Sequence, residues 1–181
     1  MTNIKITPLN LDSDLKQIGN WATEFADDEN YKAIEEFILE DYTYYTIAEV
    51  IQINHEQYPI GDDERKHAFA IKPQDSDEVM GFILATVMDK TTDSPSMFLQ
   101  YIVISPKYQH QGIGKKALKE LLENPEPYFD SKITEMFAYV HNQNFPSISL
   151  MLDIGSTLTN MQGTCYFRSL KKIPQVELDK E

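Results

Sequence analysis

Between Met97 and Leu122 the chain passes from an apolar run through a glycine turn into an amphipathic segment, MFLQYIVISPKYQHQGIGKKALKELL, and few folds accommodate that succession. Met97 to Ile104 is interrupted only by Gln100 and stops at Ser105-Pro106, the pattern of a strand buried on both faces. From Gly114 onward Ala117, Leu118, Leu121 and Leu122 recur at helical spacing, with Lys115, Lys116, Lys119, Glu120 and Glu123 on the other side. A strand that feeds a glycine-rich turn and then a helix start leaves several backbone N–H groups without partners at the positive end of the helix dipole. That arrangement binds anions, phosphate above all.

Spacing separates the phosphate-binding patterns. No G-x-x-x-x-G-K-[ST] run exists, which removes the P-loop. Gly112-Ile113-Gly114-Lys115-Lys116-Ala117 satisfies G-x-G-x-x-[GA], but in a dinucleotide fold the first glycine follows the strand at once. Here Ser105 to Gln111, including a proline, intervene, and Asp130 and Glu135 precede or open the next apolar run instead of ending it. The remaining pattern is V-x-x-P followed by [QR]-x-x-G-x-[GA], here Val103-Ile104-Ser105-Pro106 and Gln109-x-x-Gly112-x-Gly114. Downstream, Asn144-Phe145-Pro146-Ser147-Ile148-Ser149-Leu150-Met151-Leu152-Asp153-Ile154-Gly155 matches N-x-P-[AS]-I-x-L-Y-x-x-x-G-F at its asparagine, proline, small residue, isoleucine, leucine and glycine. Together these segments resemble motifs A and B of the GNAT superfamily of acyl-CoA-dependent N-acyltransferases, over roughly Met97 to Gly155.

The resemblance implies an α/β (α+β) fold with a mixed, mostly antiparallel sheet of about six or seven strands, flanked by helices and splayed where acetyl-CoA lies. It implies that Ile102, Val103 and Ile104 run beside pantetheine, and that the N–H groups of Gln111, Gly112, Ile113, Gly114 and Lys115 face the pyrophosphate. Gln109 belongs to the same motif, and His110 sits in the loop with its imidazole within reach of a phosphate. Asn144 corresponds to a position that contacts pantetheine in relatives, and it also reads as a plain helix cap. Small residues are required at Gly112 and Gly114 if the backbone is to approach a phosphate or make the turn. The co-substrate implied is acetyl-CoA, attacked directly by an amine.

Two positions depart from the family pattern. The tyrosine that often acts as the acid falls at Met151, and the glutamate that some relatives carry on the central strand falls at Phe98. Either water relays the protons or another side chain substitutes: Tyr139 and His141 near the end of the next strand, with Glu24 or Asp28 from the N-terminal helices behind them. These losses also motivate a different class of function, an acyl-CoA-binding sensor or interaction module without turnover.

Charge narrows the partners. With 16 basic against 29 acidic side chains the net charge is −13, which argues against nucleic acid and is compatible with a cationic acceptor. The single cysteine, Cys165, fits a reducing cytoplasm, and no window has the length of a membrane span or the apolar core of a signal segment. His55 and His67 show no metal spacing, and no metal is expected. Lys107, Lys115 and Lys116 read as phosphate-attracting or as a solvated helix start. A dimer through the terminal strands is common among relatives.

In chain order, Asn3–Leu9 is a first strand, and Asp12 or Ser13 caps a helix with Leu15, Ile18, Trp21 or Ala22, and Phe25 on its apolar face. Helices are expected from Tyr31 and from Thr46. His67–Ile71 and Val79–Met88 form a hairpin before the central strand, and Asn124-Pro125 and Pro127 end helical structure. Ile133–Val140 is a strand, Asn144 caps a helix with Pro146 in its first turn, and Ser156–Thr159 with Cys165–Leu170 forms a terminal hairpin. One domain over residues 1–174 with a charged tail at 175–181 is expected.

Overall fold

A computed structural model describes residues 3–19, 21, 66–88, 94–142, 144–161 and 164–170. The helices expected from Tyr31 and Thr46 lie outside the described residues. Seven strands form one sheet in the order β1-β2-β3-β4-β5-β7-β6: β1 Ile4–Pro8, β2 Lys66–Pro73, β3 Gly81–Met88, β4 Ser96–Ile104, β5 Glu135–His141, β6 Thr157–Met161 and β7 Thr164–Leu170. All neighbours are antiparallel except β4 and β5, which run parallel. The described helices are α1 Asp14–Gly19, α2 Ile113–Glu123, α3 Glu126–Phe129 and α4 Phe145–Asp153.

Alternation along the strands divides the interior into two layers. On one face Phe69, Ile71, Ile83, Ala85, Val87, Met97, Leu99, Met136, Ala138, Val140 and Phe167 pack against Ile113, Ala117, Leu118 and Leu121 of α2, Phe129 of α3 and Met151 of α4. On the other face Ala68, Ala70, Phe82 and Leu84 meet Ile18 of α1 and Trp21. Trp21 stacks on Phe82 with ring centroids 6.4 Å apart.

Local chemistry accounts for most boundaries and for two departures from expectation. The turn into α1 is made by Asn10 rather than by Asp12 or Ser13: its Oδ1 accepts from the N–H of Asp12 at 3.0 Å and of Ser13 at 2.9 Å, an Asx-type turn. The second follows α2, which ends at Glu123 where Asn124-Pro125 predicts, but a further short helix, α3, opens at once. Pro127 sits in the first turn of α3, where a missing N–H costs no hydrogen bond. Asn144 caps α4 as expected, its side chain accepting from the N–H of Ser147 at 3.2 Å.

A buried ion pair fixes α1 to the sheet. Lys72 Nζ on β2 lies 2.9 Å from Asp14 Oδ1, with both residues buried, and Asp14 Oδ2 also accepts from the N–H of Asn10 at 3.0 Å. Close approach of β3 to β4 depends on Gly81, where a Cβ would lie 2.7 Å from both the Val103 carbonyl oxygen and Ile104 Cδ1. Gly81→Ala is expected to lower stability by about 2 kcal/mol, a fall in Tm of roughly 5 °C by calorimetry. Asp14→Ala strands a buried ammonium and is expected to cost about 3–5 kcal/mol in urea unfolding, most of it recovered in Asp14→Leu/Lys72→Met.

Candidate active site

The central strand is bent by one extra residue. Leu84 pairs with Tyr101 and Ala85 with Leu99, so Gln100 is a β-bulge. Parity shows the same shift, because Leu99 faces the α2 layer and so do Ile102 and Ile104, an odd number of residues later. Gln100 itself is held on the opposite face, where its Oε1 accepts from Thr86 Oγ1 at 3.1 Å. Immediately before the bulge, β4 and β5 share three register pairs, Ser96 with Glu135, Met97 with Met136 and Phe98 with Phe137. Beyond them the strands part. The β5-facing edge of Ile102, Val103 and Ile104 therefore carries no register pair. Ile102 and Ile104 lean toward α2, and Val103 toward the α1 layer.

At the open end of β4 the chain is held by a short set of bonds. The N–H of Ser105 donates to the Met80 carbonyl at 2.9 Å, and Pro106–Tyr108 makes a 3-10 turn. Gln109 Nε2 then donates back to the Ile104 carbonyl at 3.1 Å, and Gln111 Nε2 donates to the Lys107 carbonyl at 3.0 Å. Both glutamines thus brace the loop from within. His110 and Gly112 take left-handed backbone conformations, with φ 59° and 74°. A Cβ at Gly112 would meet nothing within 4 Å, so glycine is favoured there by backbone conformation rather than by space. Gly114 differs: its position is helical and its Cβ would touch Leu150 Cδ2 at 3.4 Å and Ile102 Cδ1 at 3.5 Å. Its smallness lets α2 lie close to β4 and α4.

The result is a helix start without a capping side chain. Among the described residues, the N–H groups of Gln111, Gly112, Ile113, Gly114 and Lys115 have no protein acceptor. Gln111 and Gly112 are exposed, while Ile113 and Gly114 are buried and anchor the turn. Such a cluster of unpartnered donors at a helix N-terminus fits a pyrophosphate.

The neighbouring lysines have partners of their own. Lys107 Nζ lies 2.8 Å from Glu78 Oε1 and 4.9 Å from the Tyr108 ring centroid. Its hydrogen bond holds the Glu78 carboxyl below the usual carboxylate range, whereas burial and the Glu78 carboxylate push the Tyr108 phenol up. Lys115 Nζ meets Asp153 Oδ2 at 3.1 Å and joins α2 to the end of α4.

Where β4 and β5 part, the side chains are aromatic. Phe98 and Phe137 stack with centroids 5.2 Å apart, and Tyr139 sets its ring 5.9 Å from Phe98 and 5.3 Å from Tyr166. Tyr139 is 53% exposed. His141 follows on the same face of β5 and is half-buried. Met151 is buried in the α2-side core. Glu24 and Asp28 lie outside the described residues. Neither the bulge nor the aromatic group is evident in the sequence: Met97–Ile104 is apolar at every position but Gln100, so no alternation marks the shift, and the four rings come from three strands.

The chain matches the family model described as the acetyltransferase (GNAT) family over residues 23–155. No curated protein matched it in sequence. Among solved structures it is similar to the PaiA N-acetyltransferase of Thermoplasma acidophilum in complex with coenzyme A, at 20% identity and TM-score 0.59, covering 93% of this chain and 99% of that one. It is also similar to the spermidine N-acetyltransferase of Vibrio cholerae in complex with CoA and spermine, at 14% identity and TM-score 0.64, covering 93% and 95%. A third is the ribosomal-protein-S18-alanine N-acetyltransferase of Escherichia coli, at 15% identity and TM-score 0.59, covering 97% and 99%. At these identities the structures speak for the fold, and the family match speaks for the class of enzyme. With a seven-stranded mixed sheet, parted strands at its centre and an uncapped helix start beside the gap, this chain belongs to the GNAT family of acetyltransferases, which use acetyl-CoA as co-substrate.

Proposed function

We propose that the chain transfers an acetyl group from acetyl-CoA to the primary amine of a small molecule or of a peptide or protein N-terminus, by direct attack. The observation that carries this reading is the parting of β4 from β5 after Phe98 and Phe137, next to the donor-lined loop Gln111–Lys115. The loop is suited to the pyrophosphate, and the edge of Ile102, Val103 and Ile104 offers backbone groups to a pantetheine arm lying along it. Asn144, at the start of α4, is the side-chain candidate for the same arm. When bound, acetyl-CoA supplies the acyl group as a thioester. The similar spermidine N-acetyltransferase and ribosomal-protein-S18-alanine N-acetyltransferase both act on amines, which supports the class.

Two protons must move. An ammonium has no lone pair, so a base must take its proton, and the departing thiolate needs an acid. Met151 and Phe98 supply neither. On β5, Tyr139 and His141 share one face, and an imidazole suits proton acceptance near neutral pH as a phenol suits donation. The reading therefore assigns His141 the base and Tyr139 the acid. The lone cysteine and the absence, among the described residues, of a helix long and apolar enough to cross a membrane support a cytoplasmic setting.

The first test is calorimetric titration with acetyl-CoA, alongside CoA and NADH. Micromolar binding of the CoA species alone is expected. Gly112→Asp should weaken acetyl-CoA by at least about 100-fold through charge against the pyrophosphate, whereas Gly112→Ala, which adds only backbone strain, should retain most affinity. Equal affinity in Gly112→Asp would remove the loop from the argument. His141→Gln is expected to lower kcat by about 100-fold, leaving acetyl-CoA affinity intact. A CoA-binding protein that acetylates no amine in a broad panel would instead act as a sensor.

A further inference from the structure

The acceptor side of the gap has a composition of its own. Phe98 and Phe137 occupy the last register pair before the strands separate, and their rings lie on the sheet face opposite α2 and α4. One step further along β5, Tyr139 reaches back to Phe98, so its ring spans the mouth of the gap from one strand to the other. Tyr166, the register partner of Tyr139 on β7, extends the strip outward. A ligand anchored at the start of α2 and running between the strands ends at this apex. The amine must then come from the aromatic face.

Charge on these strands is already neutralised. Glu135 is the only acidic residue in β4, β5 or β7. Arg168 holds it in a two-pronged pair, Nε to Oε1 at 2.6 Å and Nη2 to Oε2 at 2.6 Å. That carboxylate has no need of a substrate ammonium.

We propose that the acceptor is a primary amine carried on an aromatic or apolar body, seated against Phe98, Phe137, Tyr139 and Tyr166. The inference rests on the acetyl-transfer reading and adds the substrate class. Ring faces hold a flat apolar body by offset or edge contacts, and they attract a single ammonium through its approach to the π-face. Desolvation beside the rings also favours the neutral amine, which is the form that attacks. A polyamine gains less, because each further ammonium loses water against a wall without a carboxylate to receive it.

The test uses the full chain loaded with CoA, titrated with phenethylamine and with spermidine, together with turnover of both in the presence of acetyl-CoA. Phenethylamine is expected to bind, and to be acetylated in kcat/KM, at least about tenfold better than spermidine. Phe98→Ala and the milder Phe137→Leu should raise KM for phenethylamine by about tenfold with acetyl-CoA affinity unchanged, and Phe98→Glu should move the preference toward spermidine. Spermidine binding as well as phenethylamine, or a phenethylamine KM indifferent to both phenylalanine variants, would overturn the inference while leaving acetyl transfer standing. Failure of acetyl-CoA to bind would overturn acetyl transfer and the inference with it.

Discussion

Everything distinctive about the site depends on β4 losing its partner after Phe98. A parallel strand pair that continued in register would close the sheet and leave no backbone edge for a ligand. The extra residue at Gln100 bends β4 where pairing ends, and the Gln100–Thr86 hydrogen bond keeps that residue on the far face. The gap is therefore built into the strand.

The loop at the end of β4 uses the same economy. Its two glutamines turn their amides inward to the carbonyls of Ile104 and Lys107, and its N–H groups from Gln111 to Lys115 have no acceptor among the described residues. Its two glycines serve different ends. Gly112 permits a left-handed turn, and Gly114 permits close packing of α2. A pattern that reads as one motif in sequence thus answers two physical demands.

Much of this was legible beforehand, for identifiable reasons. The β4-loop-α2 succession and the Asn144 cap carry strong local signals: an apolar run, glycines, helical spacing and a capping side chain before a proline. The β2–β3 hairpin and the β6–β7 hairpin were legible from apolar runs separated by polar turns. The bulge was not, because a nearly continuous apolar strand hides its parity when both faces are buried. α3 was hidden because the prolines that mark the end of α2 are equally at home in the first turn of a helix, and Asn10 competes with Asp12 and Ser13, which are equally good caps by type. The aromatic group at Phe98, Phe137, Tyr139 and Tyr166 joins residues from three strands and exists only once their register is known.

Only three register pairs join the half of the sheet made by β1 to β4 with the half made by β5, β7 and β6. Two plates hinged along so short a seam need a clamp underneath. α2 and α4 provide it, since Ile113, Leu118 and Met151 sit in one core with Leu99 of the first plate and with Ala138 and Phe167 of the second. Met151, where the family pattern has a tyrosine, is a rivet in that clamp: its side chain is spent on joining the two plates.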